Sequence, residues 1–229
     1  MAHVAYAPML LTRLQGLISG IYDVSVAHDV YDFLVTDRGH LPAAVREGDT
    51  DEELIVAQPA ADDHEGEVGM SLYLDPAMLE RLALADPMVR LDEGNVADYW
   101  TALEGVSHFL YLAWNAGHDR PVSLLELEMQ AEVDKYVASY WLMREQWPER
   151  FPAELLRLLF ERTRIDPRLA RGRESMYRAA SRYAEKFCRR LEQSLRDARG
   201  ESSGAVLAEL RRFYRLTNMR KMAHIERSK

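Results

Sequence analysis

Cysteine is almost missing from this chain: Cys188 is alone among 229 residues. A single thiol closes no internal disulfide, so the sequence is not that of a disulfide-stapled secreted domain, and a reducing, cytoplasmic setting is expected. Long apolar runs are missing too. No stretch of about 20 apolar residues is present, which excludes a membrane-spanning helix on hydropathy. The first twenty residues hold one cation, Arg13, and no unbroken apolar core, so they do not read as a secretory signal.

Motifs are equally scarce. Neither GxxxxGK[ST] nor GxGxxG follows a strand pattern, and HExxH is absent. Serines 25, 71, 107, 123 and 139 carry no nucleophile-elbow surroundings. No helix-turn-helix, zinc finger or RNA-binding signature is seen, and no repeat of 20–50 residues. No cofactor is implied.

Cations are rare in the first two-thirds. Residues 1–155 hold 9 Lys+Arg against 28 Asp+Glu, a balance of −19, and residues 156–229 hold 20 against 9, a balance of +11; the sum is the overall −8. With 48% hydrophobic residues and 21 aromatics (6 Phe, 4 Trp, 11 Tyr), the chain has material for a buried core. Its length suits a single domain spanning 1–229, made of a small α/β portion (1–75) and a helical portion (76–229) with basic C-terminal helices.

The predicted fold class is α+β, predominantly helical. A small antiparallel sheet over about 22–74 packs with an antiparallel helical bundle over about 76–223. The segment 8–20 reads as a helix closed by Gly20. Tyr22–Val26, Tyr31–Thr36, Leu54–Gln58 and Val68–Leu74 read as strands, with an acidic hairpin loop at 59–67. Within that loop Asp62, Asp63, His64 and Glu65 form a loose cluster that reads as solvated. Tyr22-Asp23 and Tyr31-Asp32 repeat a dipeptide to which no role attaches. Asp75-Pro76 opens a helix. Asn95 caps one that reaches Ala116 and ends at Gly117. Ser123 and Glu126 form a capping box for a helix to Gln146. Pro152 starts the next, and two long helices span 173–199 and 203–223.

Two candidate sites emerge. On the 173–199 helix, Arg178, Arg182, Lys186, Arg189, Gln193 and Arg196 recur at spacings of 4, 4, 3, 4 and 3, which places them along one face. Met176, Ala180, Tyr183, Phe187, Leu191 and Leu195 form the buried stripe. Stacked like charges repel, so the five cations call for anions: phosphates, or the carboxylates of residues 1–155. The last helix adds Arg211, Arg212, Arg215, Arg220, Lys221 and Arg227, with a cationic end at Arg220, Lys221 and His224.

The second candidate is a polar seam in the hairpin of helices 95–116 and 123–146, joined by GHDRP. Glu104 and His108 share one face, as do Glu128 and Glu132, with Lys135 a turn on. Symmetric numbering about the loop sets Glu104 level with about Lys135 and His108 with about Glu132 or Ala131. Ion-paired, these residues fix the hairpin register. As an alternative, Glu104, His108, Glu132 and Lys135 serve acid–base chemistry, or Glu104, His108, Glu128 and Glu132 hold a divalent metal.

The sequence thus reads as a non-catalytic binding protein that offers Arg178, Arg182, Lys186, Arg189 and Arg196 to an anionic partner. The partner is an acidic protein or a phosphorylated ligand, with nucleic acid less favoured at pI 5.4 and a membrane excluded. The alternatives are an enzyme or metal protein built on the hairpin, and a homo-oligomeric scaffold joining acidic to basic surfaces.

Overall fold

The computed structural model describes residues 9–43, 50–57, 69–161, 174–197 and 203–227. The fold is α+β and dominated by helix. Helix α1 spans Leu10–Tyr22, strand β1 Leu34–Val35, β2 Glu52–Ala57 and β3 Gly69–Leu74. The helices α2 (Pro76–Leu84), α3 (Val96–Ala116), α4 (Leu124–Gln146), α5 (Leu155–Glu161), α6 (Glu174–Asp197), α7 (Ser203–Tyr214) and α8 (Asn218–Arg227) follow. No helix among the described residues is long and apolar enough to cross a membrane.

The chain divides into two compact units, Met1–Gln15 with Val26–Leu110, and Gly16–Ser25 with Tyr111–Lys229. Their limits differ from the 1–75 and 76–229 portions expected from composition. The loop at 59–67, with Asp62 to Glu65, and the helix end at Arg199 and Gly200 lie outside the described residues.

In the first unit the strand order is β1-β3-β2. β2 runs antiparallel to β3 with Leu54 opposite Leu72, and β1 runs parallel to β3. The sheet is therefore mixed, not antiparallel as expected. Periodicity sets which face a strand buries, but the connection sets its direction, and two residues of β1 carry no directional signal. Residues 22–26 form no strand: α1 runs through Gly20 to Tyr22. Residues 30–33 form a 3-10 turn instead of a strand, opened by Asp29, whose carboxylate accepts from Tyr31 N–H while Asp32 reaches back to Asp29 N–H. Asp75 caps α2 as expected, accepting from Met78 N–H. Asn95 acts differently. Its side-chain amide donates to the Ala85 and Arg90 carbonyls and accepts from Asp92 N–H, which ties the loop before α3. Gly105 of α3 faces Leu72 and Leu74 of β3 at close range.

The second unit is built around α4. Fifteen of its 23 residues are buried, and they point in every direction round the helix, as in a central helix. Its chief neighbour is α6. Ser123 caps α4 through Glu126 N–H, while the Glu126 carboxylate turns inward instead of closing a capping box. Asp119, not Gly117, takes the left-handed backbone (φ 51°) after α3. The expected last helix, 203–223, is two helices. The chain turns at residues 215–217, and this break directs Lys221 and Ile225 of α8 into the core. Arg211 and Arg215 of α7 donate to the carbonyls of Ile21, Tyr22 and Asp23, so they close the C-terminus of α1, which has no cation of its own.

Candidate functional site

The basic face of α6 is open to solvent. Arg178, Arg182, Lys186, Arg189 and Arg196 are all exposed, while Ala180, Ala184, Phe187, Cys188, Leu191 and Leu195 are buried on the other side. The five cations span about 27 Å at about 1.5 Å per residue.

These cations have carboxylate neighbours. Arg178 pairs with Glu174 at 2.5 Å, Arg189 with Glu185 at 2.6 Å and with Glu161 at 3.7 Å, and Arg196 with Glu192 at 3.3 Å. Lys186 reaches Glu226 of α8 at 2.7 Å. Arg182 lies 5.6 Å from the Tyr183 ring centre. Every carboxylate described as a partner of the stripe lies within residues 156–229, and Arg196 also lies 4.7 Å from the Phe151 ring centre. The Glu226 carboxyl is held below its ordinary range, first by the hydrogen bond and charge of Lys186, then by Arg182 and Arg190. The Arg189 guanidinium is pushed up by its hydrogen bond to Glu185. Arg190, half-buried, donates to the Ile225 carbonyl at 2.9 Å, and burial lowers it.

The residues of the polar seam fall in different units. In the first, His108 is 4% exposed, and its Nδ1 lies 3.4 Å from Glu52 of β2. Glu104 stands one turn before it on α3. In the second, Glu128 and Lys135 are buried, and Lys135 donates to Glu132 at 3.0 Å. Glu52 is not legible in the sequence as a partner of His108, because only the sheet topology brings β2 to α3.

A second polar group, which the sequence reading does not assemble, lies in the core of the second unit. Lys221 has no exposed surface. Its Nζ donates to Gln130 Oε1 at 2.5 Å and lies 4.4 Å from the Tyr111 ring centre, 4.9 Å from Phe213 and 5.9 Å from Tyr214. Gln130 donates to Asp134 Oδ1 at 2.7 Å, and Tyr22 donates to the same oxygen at 2.5 Å. Tyr111 donates to Glu126 at 2.6 Å. Burial is the main cause that pushes the Tyr22, Tyr111 and Tyr214 phenols above their ordinary value. Burial also lowers Lys221 to about 7. A signal for the group does exist: Glu126, Gln130 and Asp134 recur every four residues on a helix otherwise rich in apolar side chains. The network also accounts for the repeated dipeptide. Tyr22 enters the core and Asp23 turns the chain in a left-handed conformation (φ 53°), whereas Asp32 serves the 3-10 cap.

Cys188 is no reactive thiol. It is fully buried, and burial raises it well above 9.0, with Glu132 and Asp134 adding to the rise, despite the adjacent arginines. Comparison with known protein families, curated proteins and solved structures finds no match to this chain.

Proposed function

We propose that the chain is a non-catalytic binding protein that docks an acidic protein segment along the α6 face through Arg178, Arg182, Lys186, Arg189 and Arg196. The observation that carries this reading is the exposure of all five cations in one row. Their answering carboxylates do not argue against it. Exposed pairs four residues apart are worth only about 0.3–0.5 kcal/mol each, so a partner's carboxylate exchanges for Glu174, Glu185 or Glu192 at little loss. A continuous phosphate backbone fits less well. The interleaved glutamates and the overall charge of −8 oppose it.

The test is fluorescence anisotropy with a labelled polyglutamate peptide, titrated with salt and compared with a single-stranded oligonucleotide. The peptide should bind at low ionic strength and be released as salt rises. Arg182→Glu combined with Arg189→Glu should abolish binding while shifting unfolding by no more than about 0.5 kcal/mol, as surface changes do. No binding at low salt, or undiminished binding by the double variant, would sink the reading. A preference for the oligonucleotide would change the partner class.

A further inference from the structure

We propose that α8 is a proton-linked latch: Lys221, sealed among Tyr111, Phe213, Tyr214 and Gln130, seats the helix while its amine is uncharged, and protonation releases it. The helix is ten residues long and buries two side chains, Lys221 and Ile225, one turn apart. A helix this short does not persist in water unpacked. Its seat therefore depends on its tertiary contacts, of which these two side chains are the buried part and the pairs at Glu226, the Ile225 carbonyl and His224 the outer part.

The surroundings of the amine are charged on several sides. Glu126 and Asp134 come from α4 and favour the ammonium; Arg120, in the loop before it, opposes. The π faces of Tyr111, Phe213 and Tyr214 also favour a cation. Complete loss of hydration outweighs these, and the described hydrogen bond of Nζ goes to a neutral amide. Asp134 already accepts from Tyr22 and Gln130, and Glu126 from Tyr111. An undocked lysine has its ordinary value of 10.5, whereas the seated one lies near 7. Between about pH 7 and pH 10.5 the undocked state therefore binds more protons than the docked one, so lowering the pH through this window favours opening. The phenols around the amine, raised by burial, keep their protons throughout.

Opening has a consequence that rests on the function proposed above. It withdraws Glu226 from Lys186 and the Ile225 carbonyl from Arg190, and so frees the α6 face for an acidic segment.

Hydrogen exchange on the full chain at pH 6 and pH 8, corrected for intrinsic rates, tests the latch without any partner. Amides of α8 should be about tenfold less protected at pH 6 than at pH 8, and at both pH values they should exchange through a lower-energy opening than those at the centre of α4, which open only with global unfolding. Lys221→Met should remove the difference. That variant leaves the other charged groups of α8 and their partners in place, so a pH dependence that survives it does not come from Lys221 and overturns the assignment. If Lys221→Met does not fold, the wild-type profile decides. Equal protection of α8 at both pH values, or protection of α8 as high as that of the centre of α4, overturns the latch. A polyglutamate peptide is then tested at both pH values. Opening of α8 without peptide binding upholds the latch and sinks the binding face.

Discussion

A carboxylate buried in a core must be supplied with donors, and Asp134 shows how narrow the supply is. Tyr22 and Gln130 both donate to its Oδ1, and the Tyr22 ring is stacked on Tyr214 at 4.3 Å. Tyr22→Phe keeps the stacked ring and removes one donor. A buried acceptor left short of a donor costs about 1–3 kcal/mol, so urea unfolding should show a loss of that size with little change in its slope. A loss below about 0.3 kcal/mol would mean that water replaces the hydroxyl. The chemistry here is partly legible in the sequence. The four-residue spacing of Glu126, Gln130 and Asp134 marks a polar row, but the donors to Asp134 and Gln130, Tyr22 and Lys221, lie about 90–110 positions away, and no periodicity points to them. The basic row of α6 is legible because its five members share one helix. Its carboxylate neighbours are harder to foresee, since Glu226 arrives from α8 through a turn with no proline or glycine to announce it.

Glycines show the same limit at the scale of elements. Gly16, Gly20 and Gly105 all lie inside helices, and a single sequence does not distinguish them. At Gly16 and Gly20 an added Cβ meets nothing within 4 Å, whereas at Gly105 it comes within 2.8 Å of Leu72 Cδ1 and 3.2 Å of Leu74 Cδ2. Gly20 has the look of a helix stop, yet α1 continues to Tyr22. A helical glycine on an open face is destabilising by about 0.5–1 kcal/mol relative to alanine. Gly20→Ala should therefore stabilise the protein by that amount. Gly105→Ala should destabilise it by about 1–3 kcal/mol, because the neighbouring leucines must leave their rotamers. Thermal unfolding of the two variants should shift in opposite directions, and shifts of the same sign would contradict the packing of α3 on β3. Elements with a cap or proline at their start, such as α2 and α4, are placed by the sequence to within a residue or two. The sheet direction and the α7–α8 break are not, because both depend on contacts between distant segments.

For the molecule as a whole, burial of titratable groups fixes how stability follows pH. Lys221 is lowered from 10.5 to about 7 on folding. Between those values the unfolded chain holds a proton that the folded chain has lost, so stability rises with pH through this window; below about pH 7 the contribution is gone. A one-proton difference between the two states changes stability by about 1.4 kcal/mol for each step of one in pH, so the gain from pH 7 to pH 9 is about 2 kcal/mol. Cys188 and the phenols of Tyr22, Tyr111 and Tyr214 act in the opposite sense. Each is raised on folding, above ordinary values of 9.0 and 10.0. The unfolded chain loses these protons first, so stability falls as pH passes about 9. Urea unfolding across about pH 6–10.5 should therefore give a maximum near pH 9, on the alkaline side of where most proteins are most stable. Lys221→Met should flatten the rise between pH 7 and 9 and leave the alkaline fall intact; Cys188→Ala should soften the first part of the fall and leave the rise. A wild-type profile that declines from pH 7 to 9 would show that Lys221 keeps its proton in the core, held by Glu126, Asp134 and the three rings.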